Sequence, residues 1–305
     1  MNEWELVRAF ITGPLIEAAV PKPGNVSRRR DFEDLSLYSF IAAYPALAGV
    51  YHEAAKRGRD IGRGLIKPSE AGIGELIRRS VEASRRVQDA NPNFGVIVLS
   101  IPLIMGLSMT ERIEEGGTKA LLLIEESTVR DTMELYRAIR RASPKGLPRG
   151  VEYDVYSEKA FEELFRDGIN LLRLAEMSAE RELVFREWLT GYRLTYSTFG
   201  RLMEKLPGPL EEAILGVFLR LLSEVRDTLI ERKAGNEEAE LVRRMAERTV
   251  KGEISGEAFE RFMAEKGDLR NPGSLADVTA VSLGLLFLAG VRVEMRDGRA
   301  WLTRP

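Results

Sequence analysis

Apolar positions recur along most of this chain at intervals of three and four, the spacing that brings side chains onto one face of an α-helix. Trp4, Leu6, Val7, Phe10, Ile11, Leu15, Ile16 and Ala19 mark a first helix over residues 3–20, with Gly13-Pro14 as a point of bending. Leu37, Phe40, Ile41, Tyr44, Leu47 and Ala48 predict a second, capped by Asp34 or Ser36, and His52 continues the same run at its end. A lone histidine there reads as a structural or surface residue rather than as a ligand. The glycine-rich stretch 58–74 predicts a flexible connection, because it lacks the strand context and the Lys-Ser/Thr ending of a nucleotide loop. Helical periodicity returns over 75–89, 118–126, 129–142, 157–177 and 183–189. After the break at Pro207-Gly208-Pro209 it runs on over 210–233, 236–250, 256–266 and 278–289. Residues 96–106 are apolar throughout, and composition alone fits a buried strand or a buried helix. The end of the chain alternates around Asp297-Gly298, which signals a β-hairpin. No repeat and no low-complexity linker divides residues 1–305, so the pattern predicts one all-α domain, a multi-helix bundle with a short C-terminal β-hairpin.

Composition removes several classes of function. Lys and Arg number 45 against 47 Asp and Glu, so no overall basic field points to nucleic acid, and any anion site must be local. The absence of cysteine excludes disulfides, thiolate zinc sites and a cysteine nucleophile. The first residues carry acids where a secretory signal carries bases, and the apolar runs are too short or too interrupted to span a bilayer. The expectation is a cytoplasmic protein with no membrane partner.

Chemistry concentrates in the loops. The stretch 17–34 brackets Lys22 between Pro21 and Pro23, follows it with Gly24 and Asn25, which admit a positive φ, and then sets Arg28, Arg29 and Arg30 beside Asp31, Glu33 and Asp34. The cations suit polyphosphate and the carboxylates suit Mg²⁺; a solvated connection between helices is the plainer alternative. Asn91-Pro92-Asn93 precedes the apolar run, Asp154 follows a turn with two prolines and two glycines, and Arg232-Lys233 ends a helix, where cations suit the macrodipole. Asn271-Pro272-Gly273 starts the last helix, with Asp277 expected in its first turn.

Pro21-Lys22-Pro23-Gly24 and Asn271-Pro272-Gly273-Ser274-Leu275-Ala276-Asp277, taken in order with the loops at 91–95, 146–154, 179–192 and 231–235, resemble the triphosphoribosyl-dephospho-CoA synthase family over nearly the whole chain. The family's Asn-Pro-Gly-Thr motif has Ser274 in place of threonine. Its histidine-bearing segment after the first motif appears as Arg29-Arg30-Asp31-Phe32-Glu33-Asp34, with the acids and no histidine, and Asn91-Pro92-Asn93 likewise offers none. The resemblance implies an α-helical fold, and with it a helix at 96–106. It also implies transfer of the 5-triphosphoribosyl group of ATP to a ribose hydroxyl of 3′-dephospho-CoA or a related acceptor, with release of adenine. Lys22, with Arg28 or Arg30, would contact phosphate, and Asp31 and Asp34 would hold Mg²⁺. Asn91 and Asn93 would orient ribose or base. Gly24, Asn25, Lys233 and Asn271 complete the expected nucleotide contacts, while Asp154, Asp277 and Glu17 are the candidate catalytic carboxylates. Two other readings stand beside this one: an Mg²⁺-dependent nucleotide hydrolase using water as acceptor, and a helical binding protein without catalysis.

Overall fold

The computed structural model describes residues 1–147 and 149–305 and, among them, holds sixteen α-helices and three short strands. The chain forms two compact units, one of Met1–Ile11 and Ala42–Arg193, the other of Thr12–Ile41 and Leu194–Pro305. Among the described residues no helix is long and apolar enough to cross a membrane.

The first unit is built mainly from α3 (Ala48–Gly62), α4 (Ile73–Val87), α5 (Phe94–Ser108), α6 (Gly116–Glu125), α7 (Val129–Ala142), α8 (Ala160–Arg166), α9 (Leu171–Ser178) and α10 (Leu183–Leu189), preceded in the chain by α1 (Glu3–Ala19) and α2 (Leu37–Ala46). The apolar run is helical, as the resemblance implied: α5 is buried at every position from Val96 to Leu107, which is why it shows no amphipathic period. It packs against α3 and α6, while α4 packs against α7. The glycine-rich stretch is not the flexible connection its composition predicts. Gly58 and Gly62 lie within α3, and a Cβ on Gly58 would stand 2.2 Å from the Met105 carbonyl oxygen of α5, so glycine here permits backbones to touch. Two predicted helices are each divided. The run through His52 breaks at Leu47, just after Pro45, and the run 157–177 breaks at Gly168, whose φ is +62°, before Asn170 caps α9 by accepting the Arg173 N–H. His52 is structural, stacked on Trp4 with ring centroids 4.5 Å apart.

Pro102 in the middle of α5 has no N–H for the Val98 carbonyl and crowds the neighbouring bond from Leu99. Both carbonyls find side chains instead. The buried Trp188 Nε1 donates to Val98 O at 3.2 Å and the buried Tyr192 hydroxyl donates to Leu99 O at 2.9 Å. Trp188→Phe keeps most of the packing but orphans a buried acceptor, so it should destabilise the protein by about 1–3 kcal/mol in urea denaturation.

In the second unit α12 (Leu210–Glu224) packs on α14 (Asn236–Val250) and α16 (Gly273–Leu288), and α13 (Thr228–Ala234) packs on α14 and α16. Helices α11 (Arg193–Glu204), which periodicity did not predict, and α15 (Gly256–Ala264) complete it. The core gathers Val20, Leu202, Ile214, Val217, Leu283 and Leu302. Strands β2 (Arg292–Arg296) and β3 (Arg299–Thr303) form the expected hairpin, turning through Asp297 and Gly298 at φ +48° and +74°, and β1 (Gly208–Pro209) adds a third strand in the order β1-β3-β2. The predicted helix 210–233 is two helices: Val225 is extended and Asp227 caps α13. Helix α16 starts at Gly273, earlier than predicted, which places Asp277 beyond the first turn.

Candidate active site

Helices α1 and α16 cross where both backbones lack side chains. A Cβ at Gly13 would lie 2.4 Å from the Gly284 nitrogen, so only glycine allows this approach. Glu17 stands one turn further along α1 and Asp277 two turns back along α16. Their charges act on one another: burial raises the proton affinity of half-buried Asp277 well above that of an ordinary carboxyl, and the neighbouring Glu17 and Asp227 carboxylates raise it further, against the pull of Arg232. Burial also raises the pKa of Glu17, and Lys22 opposes that shift.

The loop after α1 folds back on this pair. Lys22 is buried, and its ammonium donates to the Glu17 carbonyl at 2.5 Å and the Val20 carbonyl at 3.1 Å while pairing with Glu17 Oε1 at 3.0 Å. Two hydrogen bonds and this ion pair tie the ammonium to Glu17 and the end of α1. Gly24 then turns the chain at φ +82°, and a Cβ there would meet the Arg270 carbonyl oxygen at 2.7 Å and Pro272 Cδ at 3.0 Å. The Pro-Lys-Pro-Gly turn is thereby seated on the Asn-Pro-Gly turn at the start of α16. Asn25 fixes the seating: its Nδ2 donates to Asn271 Oδ1 at 3.0 Å, while its buried Oδ1 accepts no bond. Beneath them, buried Arg270 pairs with Glu238 at 2.5 Å and lies over the Phe262 ring, with Glu238 also paired to Lys266. Lys233 crosses from α13 to Asp268 Oδ1 at 2.8 Å. Sequence reasoning did not single out Asp227, Glu238 or Arg270, whose partners lie far away in the chain.

The remaining charges of the loop point outward. Ser27 and Arg30 pair across a tight turn, Arg28 meets Glu211 at 2.7 Å, and Arg30 meets Glu260 at 3.2 Å. Asp31 and Asp34 are exposed, and Asp31 Oδ1 accepts the Leu37 N–H at 3.1 Å at the start of α2. Among the described residues no group of three or more His, Cys, Asp or Glu side chains is placed to hold a metal ion by itself.

Three predicted residues belong to the first unit. Asn93 is buried ahead of α5, accepting from Ser84 at 3.1 Å with its Nδ2 left without a partner, and Asn91 lies two residues before it. Asp154 clasps its own loop, accepting the N–H groups of Gly150 at 2.8 Å and Tyr156 at 2.9 Å, and these bonds hold it below the usual carboxylate range. That is the setting of a loop staple and a poor one for a base.

The family model of ATP:dephospho-CoA triphosphoribosyl transferase (CitG) matches residues 3–296. Among solved structures, the chain is similar to a protein of Archaeoglobus fulgidus assigned as a triphosphoribosyl-dephospho-CoA synthase, at 25% identity and a TM-score of 0.60, covering 83% of this chain and 97% of that one. No curated protein matches the sequence.

Proposed function

We propose the residue roles below because the chain belongs to the family of ATP:dephospho-CoA triphosphoribosyl transferases, enzymes that move the triphosphoribosyl group of ATP onto dephospho-CoA. In that reaction the ribose C1′–N bond to adenine breaks and a C1′–O bond to the acceptor hydroxyl forms. The hydroxyl gives up a proton and the departing adenine takes one. A ribosyl centre losing its base develops oxocarbenium character, so the site needs a nearby anion, a proton donor for adenine and an acceptor for the hydroxyl proton.

The observation that carries the reading is the meeting of Glu17 and Asp277 at the Gly13–Gly284 crossing. Asp277, which holds its proton most firmly, is the donor to adenine. Glu17, paired with Lys22, serves as the anion beside the ribosyl carbon and the acceptor of the hydroxyl proton. Lys22 therefore works through Glu17. The Asn25 carboxamide oxygen, buried and without a donor, receives an N–H or O–H of the nucleotide. Arg28, Arg29 and Arg30 present cations to the triphosphate from the rim. Mg²⁺ would neutralise phosphate charge, and Asp31 and Asp34 fit it as exposed loop carboxylates able to share the ion with substrate oxygens.

With ATP, Mg²⁺ and dephospho-CoA the protein should release adenine in step with a product that retains all three phosphates, both resolved by chromatography. ADP or inorganic phosphate in place of adenine would overturn the assignment.

A further inference from the structure

Asp227 has no part in the chemistry assigned above, yet it is buried beside it. Each of its oxygens is engaged. Oδ1 accepts the N–H groups of Leu229 at 2.8 Å and Ile230 at 3.1 Å, as an N-cap of α13 does; Oδ2 accepts the N–H of Leu275 at 2.8 Å, in the first turn of α16. One carboxylate thus joins the starts of two helices through a bond between residues 48 apart in sequence. The next residue repeats the tie, with the Thr228 hydroxyl donating to the Ser274 hydroxyl at 2.9 Å.

A serine or threonine could cap α13 alone without burying charge. The carboxylate offers the second acceptor that reaches α16, and it does so beside the Asp277 carboxyl. Asp277 follows Leu275 by two residues, so this hydrogen bond governs where α16 presents it. The charged groups facing the pair are Glu17 from α1, with Lys22 behind it, and Arg232 from α13.

We infer that Asp227 is a positioning residue of the transfer reaction: through the Leu275 N–H it sets where Asp277 stands, and through its own charge it sets how much negative field surrounds it. This rests on Asp277 as the proton donor. Burial brings Asp227 itself to a pKa of about 6, against 3.8 for an ordinary aspartate, so its charge is in place through neutral pH.

The test follows adenine release from ATP and dephospho-CoA across pH for Asp227→Asn, Asp227→Glu, Thr228→Val and Asp277→Asn, with melting temperatures alongside. Asp227→Asn should lower kcat about 10–100-fold with little change in KM, and move the alkaline limb of the profile to lower pH, because one like charge near Asp277 is gone. Thr228→Val loosens the same junction without altering charge and should leave the limb in place. Asp227→Glu should lower kcat while keeping the limb, and this variant decides the matter if Asp227→Asn does not fold. Wild-type kcat and limb in the Asp227 variants, with only the melting temperature reduced, would overturn the inference while Asp277→Asn remained inactive. Full activity in Asp277→Asn would remove the proton donor and the inference together.

Discussion

Asp277→Asn should slow adenine release by about 10²–10⁴-fold, the range for losing a general acid, while ATP binding stays close to that of the wild type. Adenine is a poor leaving group as an anion, so the bond to ribose breaks readily only as a proton arrives. Asp277 is suited to bring one because burial and the Glu17 and Asp227 charges disfavour its anion. Asparagine keeps the shape and removes the proton. The sign with pH follows: the active form is protonated, so the rate falls as pH rises through the raised pKa of Asp277. Rates from chromatography of adenine, taken from acid to alkaline pH, check both statements. A wild-type rate in Asp277→Asn would sink the assignment.

Lys22→Met should cost the folded state about 3–5 kcal/mol, because it leaves a buried carboxylate without its partner. It also removes the donor to the Glu17 and Val20 carbonyls. Glu17 already has a raised pKa from burial, and without Lys22 it rises further. A carboxyl whose folded pKa exceeds its unfolded value favours the fold most below the unfolded pKa, and that contribution is lost as pH rises through the folded pKa. The deficit should therefore be smaller at pH 5 than at pH 8, as urea denaturation at both would show. Glu17→Gln added to Lys22→Met should recover part of the loss, since the uncompensated charge is gone. Equal stability of Lys22→Met and wild type at pH 8 would contradict the buried pair.

Most helices were legible because each turns an apolar stripe toward the core of its own unit; α4, α7, α12 and α14 are of this kind. Helix α5 was not, since burial on every side erases the period that separates helix from strand. Divisions within long runs were hidden for a different reason. The stops at Gly168-Ile169-Asn170 and at Val225-Arg226-Asp227 leave the apolar spacing on either side nearly in phase, and their signal is only a capping residue inside an apparent helix. Of the residues to which the loop motifs pointed, Glu17, Lys22, Gly24, Asn25, Asn271 and Asp277 all fall in the second unit, while Asn91, Asn93 and Asp154 fall in the first. Their division of labour was not legible. Lys22 is expected at phosphate and is found tied to Glu17 and the end of α1, and nothing in the sequence signals the partners of Asp227 and Arg270, which are distant along the chain. Asp154 shows the converse: a carboxylate in a glycine-rich turn that is occupied by its own backbone.

The tie between Trp188 and the Val98 carbonyl has an optical side. Of the chain's three tryptophans, Trp4 is largely exposed, Trp301 is half-buried on β3, and Trp188 alone is fully enclosed, with its indole N–H bonded to a carbonyl. An indole in that setting emits at shorter wavelength than one in water. The blue part of the intrinsic fluorescence is thus a native label on the first unit, positioned one turn before Pro102 of α5, and Trp301 is the corresponding label on the second.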